Sequence, residues 1–183
     1  MTMEFPLRTP DSAPEAFERS GKVLGLVPNL IRVMASSPAA ASAYLDLTER
    51  LGQSSLSPEE QSVALLTISR FHECHYCMAA HSMTGRMAGL PDAVVDALRE
   101  DQPVPDQRLE ALRRFVVAVL EHRGAVPDAE LEGFRRAGFD EAAILDVILA
   151  VALKTLSNYT NHLASTPLDD VMQDEHWEAP AGR

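Results

Sequence analysis

The sequence predicts an all-α protein built around one hydrophobic core. Three observations carry that prediction. Alanine and leucine dominate a chain in which aromatics are only 5%, a composition that favours helices over β-sandwiches. Proline, serine, aspartate and glycine recur at intervals that match helix starts and stops. No segment alternates apolar and polar residues as a half-buried strand would. At 183 residues the chain is long enough for one sizeable core with an appended arm.

The elements follow in order. Asp11-Ser12 followed by Pro14 starts a short first helix. Pro28 opens a second over Asn29 to Ser36, and Ser37-Pro38 caps a third whose apolar pattern runs to Gly52. Ser57-Pro58-Glu59-Glu60 is a capping box, with Ser57 as cap and Glu60 as the N3 acid. The helix it starts carries Val63, Leu65, Leu66 and Ile68 and fades near His72. The next begins at Glu73 or Cys74 and stops at Gly89. Later helices are expected at Pro91 to Glu100, Asp106 to His122, Asp128 to Ala137 and Asp140 to about Ser165, with Pro103, Pro105, Pro127 and Pro167 between or beyond them. Residues 1–20 read as an N-terminal arm with a short helix, 21–170 as the helical domain and 171–183 as a tail, with loose or partner-bound ends.

Composition narrows the function classes. The formal net charge is −11, and Arg113-Arg114 and Arg135-Arg136 are isolated pairs in acidic surroundings. No basic cluster tracks phosphates, so neither nucleic acid nor an anionic membrane is an expected partner. Met1 to Pro14 lacks the apolar run of a signal peptide, and no window reaches the ~18 apolar residues of a membrane span. A cytoplasmic location is expected. In a reducing compartment two cysteines at C-x-x-C spacing point to redox or metal chemistry rather than a structural staple.

Both cysteines lie in Glu73-Cys74-His75-Tyr76-Cys77-Met78-Ala79-Ala80-His81. On a helix, positions 74, 77 and 81 fall within about 60° of one another. Two thiols and an imidazole then share a face. Cys74 lies in the first turn, where free N–H groups stabilise a thiolate, while His81 stands at i+4 from Cys77 and can take or offset its charge. These two effects favour different cysteines, so spacing leaves the order of attack open. His75 and Tyr76 point away from the thiol face, to tune access or to pack. Zinc is an alternative: Cys74, Cys77 and His81 with His72 or His75, although no distant cysteine pair completes the set. Asn158-Tyr159-Thr160-Asn161-His162 ends the last helix in an unusually polar run. Asn158 and His162, at i and i+4, are candidates for a pocket wall, a subunit contact or simply a hydrogen-bonded helix end.

The segment Leu56 to Gln61 together with Cys74 to Ser82 resembles the AhpD-like alkylhydroperoxidase and carboxymuconolactone decarboxylase superfamily. Gly25-Leu26-Val27-Pro28-Asn29-Leu30 and the 158–162 run resemble flanking parts of its longer, peroxidase-related members. The resemblance implies an AhpD-like helical bundle of about 8–9 helices, homo-oligomers, and a cycle in which Cys77 attacks a hydroperoxide, Cys74 resolves it as a disulfide and His81 relays protons. It implies no metal or organic cofactor, and an external dithiol or protein reductant as partner. Two positions depart from the peroxidase pattern. Ser62 stands where a relay glutamate is expected, and Tyr76 where a histidine precedes the second cysteine. Glu60 is the nearest upstream acid and a catalytic candidate, but two residues turn a helix by about 200°, and the capping box already accounts for it.

The expected function is a thiol-dependent hydroperoxide reductase. Alternatives are a disulfide reductase or redox sensor, a decarboxylase-like enzyme, or a non-catalytic assembly protein with an idle dithiol. The decarboxylase branch lacks the redox pair, which argues against that reading here.

Overall fold

The computed structural model describes residues 5–180 and contains, among them, nine α-helices and no strand. These are α1 (Pro14–Leu24), α2 (Asn29–Met34), α3 (Pro38–Leu51), α4 (Pro58–Phe71), α5 (His75–Met87), α6 (Asp92–Arg99), α7 (Gln107–Glu121), α8 (Asp128–Arg136) and α9 (Glu141–Ala164). Short 3-10 turns lie at Pro10–Ser12 and Asp170–Glu175. The all-α expectation is met, and most boundaries fall within two residues of those read from caps and prolines.

Local chemistry explains the starts. Ser57 accepts the Glu60 N–H at 3.2 Å, and the Glu60 carboxylate accepts the Ser57 N–H at 2.8 Å, closing the predicted box. Asp106 caps α7 through two N–H groups and Asp140 caps α9 through Ala143. Helix α2 stops two residues early because the chain tightens after Met34, where Ser36 and Ser37 bond back to Val33 and Met34.

Two helices organise the core. Helix α4 packs against α5, α6, α7 and α9, and α9 packs against α2, α3, α4, α5 and α7. Their fully buried residues include Val63, Leu66 and Ile68 from α4 and Val147 and Ala150 from α9. Away from that centre, Phe115, Phe134 and Phe139 stack in succession and join α7 to α8 and the loop after it.

Two expectations need correction. By length and composition alone α9, at 24 residues, could cross a membrane. One face of it packs against five other helices and carries Lys154 and two asparagines, and the opposite face is exposed. The tail is not loose through residue 179 either. The Asp169 carboxylate accepts the Asn29 N–H at the start of α2 and the Tyr76 hydroxyl. Trp177 is buried, and its indole N–H donates to the Arg99 carbonyl at 3.2 Å. The indole packs within the chain because Arg70 lies over its ring and His75 beside it. Residues 1–4 and 181–183, part of the ends expected to be loose, lie outside the described residues.

Candidate functional site: a buried dithiol

The turn from α4 to α5 sets the two thiols. Glu73 takes the left-handed conformation, φ 52°. The Glu73 N–H bonds the Arg70 carbonyl and the Cys74 N–H bonds the Ser69 carbonyl, each at 3.0 Å. This is the Schellman arrangement, usually built on glycine. It places Cys74 at the N-cap of α5, one residue before the helix proper, and Cys77 in its first turn. Both sulfurs therefore sit at the positive end of a helix. Both cysteines are reduced and buried, 1% and 2% exposed.

The opposing wall comes from α9. Lys154, Ser157, Asn158 and Asn161 follow i, i+3, i+4, i+7 spacing and form a buried polar stripe on an otherwise apolar helix. Asn161 Nδ2 donates to Cys77 Sγ at 3.2 Å, and Ser157 Oγ lies 4.0 Å from the same sulfur. Lys154 Nζ donates to His81 Nε2 at 2.7 Å.

These contacts separate the two thiols. Full burial opposes a Cys77 thiolate, but the Cys74 thiol, the Lys154 charge and the Lys154 and Asn161 donors outweigh it and bring Cys77 down to about 5. Cys74 moves up, because its thiol proton is held by Cys77 and because it is buried. Cys77 is thus the thiolate and Cys74 the thiol. Helix geometry in the sequence left this choice open.

The other candidate residues separate into three groups. His81 is at the site, but as a neutral imidazole: burial and then the Lys154 charge hold it well below its ordinary range. An imidazolium partner for the thiolate is therefore corrected to Lys154. Glu60 is not at the site. Its two oxygens serve the Ser57 cap and an ion pair with Arg108 Nε at 2.7 Å. It stands 11 residues before the end of α4, about 16 Å along the axis from the turn that carries the thiols. Ser62 returns its hydroxyl to the Pro58 carbonyl and packs beside Gly85.

His75, Tyr76 and His162 line a cleft of about 510 Å³ with His72, Glu73, Cys74, Asn161, Ser165 and Thr166. Its opening reaches the Cys74 side of the pair. His75 donates from Nδ1 to the Trp177 carbonyl at 3.0 Å, and the Tyr76 hydroxyl is fixed between Asp169 and the Leu30 N–H. Asn158 and His162 do not act together, since Asn158 is fully buried and His162 is exposed at the rim. Asn158 has neither amide atom paired, and buried unpaired atoms also occur on Asn161, His72, Glu73 and Thr166. Unpaired buried amides are costly. The unpaired atoms on His72, Glu73, Asn161 and Thr166 belong to residues that line the cleft.

A zinc set does not form. Among the described residues no three His, Cys, Asp or Glu side chains converge as metal ligands. His81 Nε2 faces an ammonium and His75 Nδ1 a carbonyl.

Sequence reasoning missed Lys154, Ser157 and Asn161 as site residues. A signal for Lys154 existed: it is the single lysine of α9, set among apolar residues.

Residues 38–115 match the carboxymuconolactone decarboxylase family. No curated protein matches the chain. Solved structures share its fold along nearly the full length. An uncharacterized peroxidase-related protein from Silicibacter sp. TM1040 has a TM-score of 0.78 at 21% identity, covering 93% of each chain. An uncharacterized peroxidase-related protein with an alkylhydroperoxidase AhpD core, from Ralstonia eutropha JMP134, has a TM-score of 0.75 at 22% identity, covering 94% of this chain and 92% of that one. The debrominase Bmp8, also solved with 2,3,4-tribromopyrrole, has a TM-score of 0.76 at 20% identity and covers 96% of each chain. The family match is centred on the helices that carry the thiols, and the fold is shared from end to end with these peroxidase-related proteins and with the debrominase.

Proposed function

We propose that the chain is a thiol-dependent hydroperoxide reductase that cycles Cys74 and Cys77 between dithiol and disulfide. The observation that carries this reading is the asymmetry of the pair: a buried Cys77 held as thiolate by Lys154 and Asn161, beside a Cys74 held as thiol. A thiolate is the form that attacks the peroxide O–O bond, and a protonated neighbour less than one helical turn away is placed to resolve the product. Cys77 becomes a sulfenic acid as the peroxide leaves as an alcohol. Cys74 then condenses with it, releasing water and forming the disulfide. An external dithiol restores the pair by attack on Cys74, the sulfur that borders the open cleft.

The polar lining of the cleft favours a small or polar hydroperoxide over a long acyl chain. Self-association is part of the proposal. Leu145, Ile148, Tyr159 and Leu163 form an exposed apolar stripe along α9, of the kind that marks an interface. Sedimentation should give a mass of at least two chains, and L145E/I148E should reduce it to that of one.

The central test is brief exposure of reduced protein to organic hydroperoxide followed by mass mapping. Wild type should form the Cys74–Cys77 disulfide within seconds, Cys77→Ser should form none, and Cys74→Ser should stop at a sulfenic acid. Oxidation of wild type no faster than that of a free dithiol peptide would overturn the proposal.

A further inference from the structure

Lys154 is 1% exposed, and its hydrogen-bond partner is a neutral histidine rather than a carboxylate. Among the described residues it belongs to no ion pair with an aspartate or glutamate. A buried ammonium needs an anion, and the anion in reach is the Cys77 thiolate. The titratable groups around the site are Cys74, Cys77 and His81 from α5, His72 from the turn after α4, His162 on α9 itself and Tyr44 from α3. Glu73, in the turn before Cys74, is the other acid bordering the cleft, and it is not among the charges that shift Cys74, Cys77 or His81. When Cys77 enters a disulfide, the anion coupled to Lys154 disappears.

Residue choice points the same way. The chain has two lysines, Lys22 and Lys154, against fourteen arginines. Arginine would serve as well for a permanent buried charge, but it does not release its proton, whereas a buried lysine does. His81 Nε2 accepts from Lys154. Its proton is therefore on Nδ1, and it lies on the far side of the ammonium as an acceptor.

We propose that Lys154 is the general acid of the reaction and the carrier of a redox-linked proton, an inference that rests on the peroxide-reducing reading above. The Cys77 thiolate attacks the terminal peroxide oxygen, and the O–O bond breaks. Sulfur gains the OH group as sulfenic acid. The departing alkoxide takes a proton from the Lys154 ammonium and leaves as alcohol. Neutral Lys154 then accepts the Cys74 proton. The Cys74 thiolate attacks Cys77 Sγ, and the displaced hydroxide regains that proton and leaves as water. The result is a disulfide beside a neutral amine. Reduction by a dithiol runs the balance backwards: two electrons and two protons enter, one proton on Cys74 and one on Lys154, and Cys77 returns as thiolate.

Two lysines make the test direct. Protein labelled with carbon-13 lysine gives two side-chain signals, one of which is lost in Lys154→Arg. At pH 8 the Lys154 signal should shift from an ammonium position in the dithiol form to an amine position in the disulfide form. Wild type should take up two protons per disulfide reduced, at a pH where alkylation shows Cys77 to be a thiolate. Lys154→Arg should keep the thiolate but take up one proton, and its sulfenic acid formation should fall about a hundredfold or more. Lys154→Met, checked by melting to be folded, should move the Cys77 alkylation midpoint up by at least about two pH units. An unmoved lysine signal, one-proton uptake in wild type, or wild-type peroxide rates in Lys154→Arg would overturn the proposal. Proton uptake and alkylation are measured with glutathione buffers and iodoacetamide, without peroxide. If wild type ignores peroxides yet takes up two protons, the peroxide reading falls and the lysine linkage stands.

Discussion

At Cys77 burial opposes the charge that would make the sulfur reactive. The site resolves this with donors from a different helix. Hydrogen bonds to charged groups are worth ~1.5–3 kcal/mol, and a pKa unit is ~1.4 kcal/mol. Asn161→Ala should therefore raise the midpoint of Cys77 alkylation by about one to two pH units, read as iodoacetamide rate against pH. Glu60 has the opposite character. Glu60→Gln should cost ~1 kcal/mol of stability through the weakened cap and ion pair, with the rate of thiol oxidation unchanged. Of the residues expected at the site, Cys74, Cys77 and His81 were legible because one helical turn brings them together. Lys154 and Asn161 were not, because no local spacing connects residues 84 positions apart.

Among the elements, the α4–α5 turn bears most directly on function. A non-glycine residue held left-handed costs ~1 kcal/mol or more, and Glu73 also buries a carboxylate oxygen without a partner. Glu73→Gly should raise the unfolding free energy by about 1 kcal/mol in urea titration. Helix starts were readable throughout, since proline, serine and aspartate act on the next three residues. The start of α5 was displaced by one or two residues because its stop-and-restart uses glutamate where glycine would have announced it. Helix α9 was legible as a long apolar helix, but its polar end had two faces, and only packing against α5 decides that Asn158 and Asn161 turn inward while His162 turns out.

For the whole molecule, the shifted groups predict how stability follows pH. Cys77 is depressed to about 5 from an ordinary thiol value near 9, so the native state binds fewer protons than the unfolded chain across that range. Its contribution is present above pH 9 and is lost as pH falls towards 5. His81 and His72 are also depressed, each by burial first, so acidification below about 6.5 protonates them in the unfolded chain before the native state. Both effects have the same sign. The reduced protein should lose stability steadily from pH 9 to pH 5, measured by denaturant titration at fixed ionic strength. In the disulfide form Cys77 no longer titrates, and its share of that loss is absent.

The long reach between α5 and α9 has a consequence for synthesis. A ribosome releases Cys74 and Cys77 well before Lys154 and Asn161, and the indole of Trp177 that closes over His75 emerges later still. Until then the two sulfurs are ordinary thiols, largely protonated and slow towards oxidants. A chain halted after residue 140 should alkylate with the pH profile of a simple cysteine peptide. Reactivity is acquired only when α9 has followed α5 out of the ribosome and packed against it, so the two thiols are made well before they are armed.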